Sequence, residues 1–116
     1  MLEPLSKDIA SSVVCLQYDQ LPKGVIELSK MCLLDMIGSA IAGNAQEPAR
    51  IVREWATTAG GKSESPVLCS WEKLPANMAA LVNGTMAHIV ELDDVNMRCF
   101  GHPGVAIIPA VLAVAY

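Results

Sequence analysis

The stretch from His88 to Gly104 concentrates the side chains of this 116-residue chain that can move protons or grip a small anion. It reads His88-Ile89-Val90-Glu91-Leu92-Asp93-Asp94-Val95, then Asn96-Met97-Arg98-Cys99-Phe100-Gly101-His102-Pro103-Gly104. On a helix, His88 and Glu91 are three apart and share a face. Glu91, Asp93 and Asp94 then crowd three carboxylates at the C-terminal end of that helix, where the backbone already carries partial negative charge. A cluster that breaks a local rule is a candidate functional site. Histidine beside carboxylates is suited to taking up and returning a proton at neutral pH. After His102-Pro103-Gly104 a helix opens, and its free N–H groups near Val105 and Ala106 are placed to receive a carboxylate.

Plainer roles exist for the same residues. An Asp-Asp pair in a loop commonly makes a turn or a cap. A histidine at a helix end commonly binds the last carbonyls of that helix. Arg98 reads most simply as a surface charge or a partner for Asp94. Asp94 and His102 lack a third ligand at suitable spacing, so no metal site is expected. Cys15, Cys32, Cys69 and Cys99 are widely separated and include no Cys-x-x-Cys pair, which argues against a zinc site or a disulfide framework. They are expected to be reduced and mostly buried thiols.

The elements that must position this stretch are helical. Ser6 is a plausible N-cap for a helix over 7–17, with Ile9, Val13 and Leu16 at helical spacing. Leu21-Pro22 closes that segment and opens a second helix over 23–42. There Val25, Leu28, Cys32, Met36 and Ser39 form one stripe, and Ile26, Leu33, Ile37 and Ile41 widen it, which predicts burial on more than one side. Gly43-Asn44 stops it. A third helix starts near Glu47-Pro48 and ends at Gly60-Gly61. Residues 66–71 are too few for a helix and read as a short strand or extended arm. Leu74-Pro75 opens a fourth helix from Ala76 to about Leu92, apolar on all faces and therefore central. Gly84 inside it costs roughly 1 kcal/mol against alanine, which predicts close packing at that point. A polar loop over 93–103 leads to a last apolar helix, 104–116, interrupted by Pro109.

Composition narrows the classes. The chain is 53% hydrophobic and 17% charged, with mean hydropathy +0.39, and is oily for its length. A small domain covers its apolar surface poorly, so the chain either self-associates or belongs to a larger domain. No run reaches the roughly 20 apolar residues of a membrane span. The first residues have neither the basic start nor the apolar centre of a signal peptide, so a cytoplasmic location is expected. A net charge of −4 and 4% aromatic residues exclude the cationic footprint of a nucleic-acid binder. The chain closes at Tyr116 without a polar tail, which suggests that the natural chain is longer.

The ordered set of motifs resembles the MmgE/PrpD family. His88, Asp93, Asp94, His102 and Pro103 stand at matched positions of a signature of the form His-x-x-Asp-aromatic-Asp-Asp-Thr, a short loop, and His-Pro-Ser before an apolar helix. Cys32-Leu-Leu-Asp35-Met-Ile-Gly38 resembles the family's Leu-Asp-x-x-Gly segment, and Ala79-Ala80-Leu-Val-Asn83-Gly84 resembles its Ala-Ala-Phe-x-Asn-Gly helix. The chain departs from the pattern at four positions. Glu91 stands for Asp, Leu92 for an aromatic residue, Val95 for Thr and Gly104 for Ser.

The resemblance implies an all-α fold of about five helices with one short extended arm. Residues 1–116 would form the N-terminal portion of a larger helical domain, with no second domain present. It implies a cofactor-independent lyase or isomerase of small polycarboxylic acids, with no metal. The reaction class is proton abstraction next to a carboxylate, followed by dehydration, decarboxylation or epimerisation. His102, Asp93 and Asp94 would be catalytic, with Glu91, His88 and Arg98 binding substrate. Family members draw further His and Lys residues from downstream and form homodimers, so the chain alone is expected to be inactive and to associate with itself. The rival reading is a non-catalytic helical module that self-associates.

Overall fold

The computed structural model describes residues 5–115, so the readings of the extreme N-terminus and of Tyr116 lie outside the described residues. The order is α1 (Leu5–Cys15), a short 3-10 turn (Tyr18–Gln20), α2 (Lys23–Gly43), α3 (Glu47–Ala59), β1 (Ser65–Pro66), β2 (Lys73–Leu74), α4 (Ala76–His88) and α5 (Pro103–Ala115). The fold is mostly α, as expected. Helix α1 starts at Leu5, so Ser6 lies in its first turn rather than capping it. Helix α2 opens where Pro22 places its carbonyl, which accepts the N–H groups of Val25 and Ile26. In α3, Pro48 occupies the first turn, where its missing N–H goes unmissed, and Gly60 ends the helix at φ 71°. The extended arm expected over 66–71 is a small hairpin instead: only Pro66 of it lies in a strand, 67–72 form the connection, and the antiparallel pair is Ser65 opposite Leu74 and Pro66 opposite Lys73.

Helix α4 is the hub, packed against α2, α3 and α5. Its Ala79, Val82, Met86 and Ala87 meet Met36 and Ala40 of α2, Ala49 and Ala56 of α3, and Val67 and Leu74 of the arm in one core. Small residues set the helix spacing. A Cβ at Gly43 would overlap the Met86 carbonyl, and one at Gly84 would lie 2.9 Å from the Val105 carbonyl oxygen. Pro109 explains that oxygen: it has no N–H to offer the carbonyl four residues back. The carbonyl released in α5 therefore rests against the one position in α4 without a side chain. Asn83, buried, clamps the arm to α4: its Nδ2 donates to Pro66 O (3.1 Å) and its Oδ1 accepts from Leu68 N (2.8 Å). The Ser65 hydroxyl donates to Ala113 O, giving a partner to a carbonyl near the end of α5.

Three expectations need correction. The predicted stripe of α2 is not buried along its length. Met36, Ser39, Ala40 and Gly43 are buried, whereas Val25 and Leu28 are exposed, because α5 faces that early part of the helix across a groove instead of packing on it. The thiols are free but none is buried: Cys15, Cys69 and Cys99 are exposed at a helix end and in loops, and Cys32 is half-buried. Helix α4 stops at His88, four residues before its predicted end. Among the described residues no helix is long and apolar enough to cross a membrane.

Candidate functional site

The early end of α4 builds the site. Glu91 donates its N–H to His88 O (2.9 Å) and takes the left-handed conformation, φ 52°, which turns the chain out of the helix. His88 and Glu91 therefore do not share a helical face. The carboxylates lie beyond the last turn of α4 rather than within it. The loop then closes on itself: Asn96 N–H donates to Gly101 O (2.9 Å), and Arg98 N–H donates to the Asn96 side chain (2.9 Å). Phe100, also left-handed at φ 48°, precedes the return to His102 and α5. Left-handed residues other than glycine cost of order 1 kcal/mol and gather at functional sites.

The return brings Asp93 between two imidazoles. Its side chain is 1% exposed, while those of His88 and His102 are 45% and 26% exposed. His88 Nδ1 lies 3.2 Å from both carboxylate oxygens, and His102 Nδ1 lies 2.8 Å from Oδ2. The two rings meet edge to face, with centroids 4.9 Å apart. The contact of His102 is a close pair that lies off the line of a good hydrogen bond, which leaves its buried Nδ1 without an aligned partner. Glu91 Oε1 stands 3.7 Å from His88 Nε2 at the exposed rim.

Asp94 does something different from its neighbour. Its Oδ1 accepts the Gly104 N–H (2.9 Å), so it caps the start of α5 from ten residues away. A Cβ at Gly104 would run into that carboxylate, which gives the glycine a structural reason. The anion expected at the start of α5 is thus supplied, at Gly104, by the chain itself. Arg98 is exposed and forms no ion pair with Asp94 among the described residues. Of the six candidates, the fold joins His88, Asp93 and His102, sets Glu91 at their edge and Asp94 behind α5, and leaves Arg98 on the loop surface.

Two hollows flank the cluster. One, of about 310 Å³, is lined by Gly84, Thr85, His88, Ile89, Val105 and Ala106. The other, of about 270 Å³, runs between α2 and α5 past Val25, Leu28, Ser29, Cys32 and Ile107 to Asp94. The early part of the stripe that the sequence presents as core, Val25, Leu28 and Cys32, is the wall of that groove. Its apolar character was legible; its facing a gap was not.

Residues 7–116 match the profile of the MmgE/PrpD N-terminal domain. The chain belongs to the MmgE/PrpD family. It is 28% identical over 116 residues to the human protein named cis-aconitate decarboxylase, covering 99% of this chain and 24% of that one. The mouse protein of the same name is 28% identical over 119 residues, again covering 99% and 24%. The chain thus spans about a quarter of the length of these MmgE/PrpD relatives.

Proposed function

We propose that this MmgE/PrpD domain contributes the His88–Asp93–His102 cluster to an active site that removes a proton next to a carboxylate of a small polycarboxylic acid. The observation that carries the reading is the buried Asp93 carboxylate shared by two imidazoles. With Nδ1 turned toward Asp93, the Nε2 of His102 is the nitrogen left to accept a proton from substrate carbon. Asp93 holds the ring in place and stabilises the imidazolium that forms, as a buried carboxylate does for a catalytic histidine. His88 shares Asp93, and Glu91 Oε1 stands 3.7 Å from its outer nitrogen, close enough to pair with it when His88 carries a proton. Asp94 holds α5, and with it His102, in register. From the carbanion-like state left by proton removal, departure of hydroxide gives dehydration and return of the proton to the opposite face gives epimerisation. In decarboxylation the order is reversed, since loss of carbon dioxide leaves the electron pair on carbon and a protonated His102 would deliver the proton to it. Decarboxylation is the outcome that the names of the relatives favour.

Arg98 is the permanent cation within the His88–Gly104 stretch, against Glu91, Asp93 and Asp94. A polyanionic substrate needs more positive charge than that. The domain by itself is therefore expected to be inactive, with further cations supplied by the part of a relative-sized protein that lies outside these residues. The test is proton NMR of cis-aconitate, 2-methylcitrate and iminodisuccinate in deuterated water, with the domain alone and with a full-length protein that carries it. The expected result is no exchange by the domain, and turnover by the long protein that falls at least 100-fold on His102→Ala, the usual size of an acid–base contribution. Full activity in that variant would remove His102 from the mechanism.

A second reading, a self-associating helical module without catalysis, draws on the exposed Leu28, Met31 and Leu34 of α2 and the exposed Ile107, Val111 and Val114 of α5. A long protein inert toward all three acids would favour it.

A further inference from the structure

Spacing along the chain conceals a ligand set that the fold assembles. His88, Asp93 and His102 each offer one ligand atom, and these atoms all lie within 4.8 Å of one another. We propose that these three residues bind a divalent transition-metal ion of the zinc class, with the fourth position open to solvent. Tetrahedral coordination at bond lengths near 2.0–2.2 Å sets ligand atoms about 3.3 Å apart. His88 Nδ1 and the Asp93 oxygens are already 3.2 Å apart, and His102 Nδ1 stands 2.8 Å from Asp93 Oδ2. The ligand atoms lie within 4.8 Å of one another, so the widest pair would have to close by up to about 1.5 Å for all three to share one tetrahedral centre.

Two further features fit a cation here. The Nδ1 of His102 is buried, and its 2.8 Å contact with Asp93 is not aligned as a hydrogen bond, so a metal held by both groups would replace a poorly directed contact. Glu91 stands where an outer-shell carboxylate belongs. A histidine bound through Nδ1 carries its proton on Nε2, and His88 Nε2 lies 3.7 Å from Glu91 Oε1. Two imidazoles and one carboxylate favour zinc, cobalt or ferrous ions over magnesium or calcium, which take oxygen ligands. The half-exposed edge of His88 leaves a side from which water can complete the shell.

The site would work as a block. A metal on Nδ1 of His102 places that ring's proton on Nε2, so Nε2 ceases to be a proton acceptor. Metal and substrate proton would then compete for one imidazole, and the metal would inhibit. This consequence rests on the proposed role of His102; the binding does not.

The test for binding is cobalt titration of the chain followed by visible absorption, with zinc as the displacing ion. All four cysteines are changed to serine in the background, so that thiolates cannot contribute. The expected result is one cobalt per chain with tetrahedral ligand-field bands, displaced by one zinc and unaffected by magnesium. His88→Gln and His102→Gln should each weaken binding by well over tenfold, and Glu91→Gln by about tenfold, the usual effect of an outer-shell partner. Circular dichroism checks that each variant is folded, and the half-exposed position of His88 at a helix end makes His88→Gln the safest of them. Binding that persists undiminished in folded His88→Gln, or its absence in the parent, overturns the site. The functional reading is judged separately, by the deuterium exchange assay, which needs no metal.

Discussion

Asp93 and Asp94 are neighbours in sequence with different work, and the difference lies in where each oxygen ends. Asp93 is sealed between imidazoles, and Asp94 ties the loop to the first turn of α5. The chemical groups were legible in the sequence, and the structure gathers His88, Asp93 and His102. What was not legible is the turn that gathers them. Ile89 and Val90 continue an apolar helical pattern, so nothing in the local spacing announces that Glu91 goes left-handed. The turn is stabilised by the closure of the loop and by the Asp93 contacts, which are tertiary. Glu91 and Phe100 therefore carry backbone strain that glycine would not. Phe100 is 87% exposed and contributes little packing. Phe100→Gly should leave stability unchanged or raise it by up to about 1 kcal/mol, despite losing a large apolar side chain. Urea unfolding checks this; a loss above 1 kcal/mol would mean that the ring is covered by something in solution.

Helices were the easiest elements to read, since Pro22, Pro48, Gly60 and Pro75 mark their limits by local backbone chemistry. Which face each helix buries was harder, because periodicity shows that a stripe is apolar without showing what lies opposite. The two glycines within the family-like segments make the contrast measurable. Gly84 faces the Val105 carbonyl, and a Cβ there would sit 2.9 Å from it, whereas a Cβ at Gly38 would meet nothing within 4 Å. Alanine improves helix propensity at both by about 1 kcal/mol. At Gly38 that gain should appear in full. At Gly84, overpacking of about 1–3 kcal/mol should outweigh it. Thermal unfolding of Gly38→Ala and Gly84→Ala is expected to move in opposite directions; equal shifts would mean that α4 and α5 do not approach as closely as described.

The whole molecule exposes more than its size requires. Its accessible surface is 8179 Å², where a folded monomer of this mass shows about 6,100 Å². Its radius of gyration is 16.0 Å against about 13 Å for a compact chain of this length. The oily composition read from the sequence thus has its counterpart in uncovered helix faces rather than in a larger core. Covering several hundred Å² of that apolar surface favours association by several kcal/mol, before the entropic costs. The chain is expected to form a dimer or larger species, and multi-angle light scattering showing a monomer at micromolar concentration would contradict this. Helix α1 holds a particular place in that excess. None of its residues is buried, and Leu5, Ile9, Val13 and Val14 all face outward. Eleven residues are too few to hold a helix in water by propensity. Its amides should therefore exchange with deuterium within seconds to minutes in the isolated monomer, while those of α4 are protected to the level of global unfolding. If mass spectrometry finds α1 protected at concentrations where the chain associates and open where it does not, the first eleven helical residues report on assembly, and an exchange rate becomes a gauge of how many copies are together.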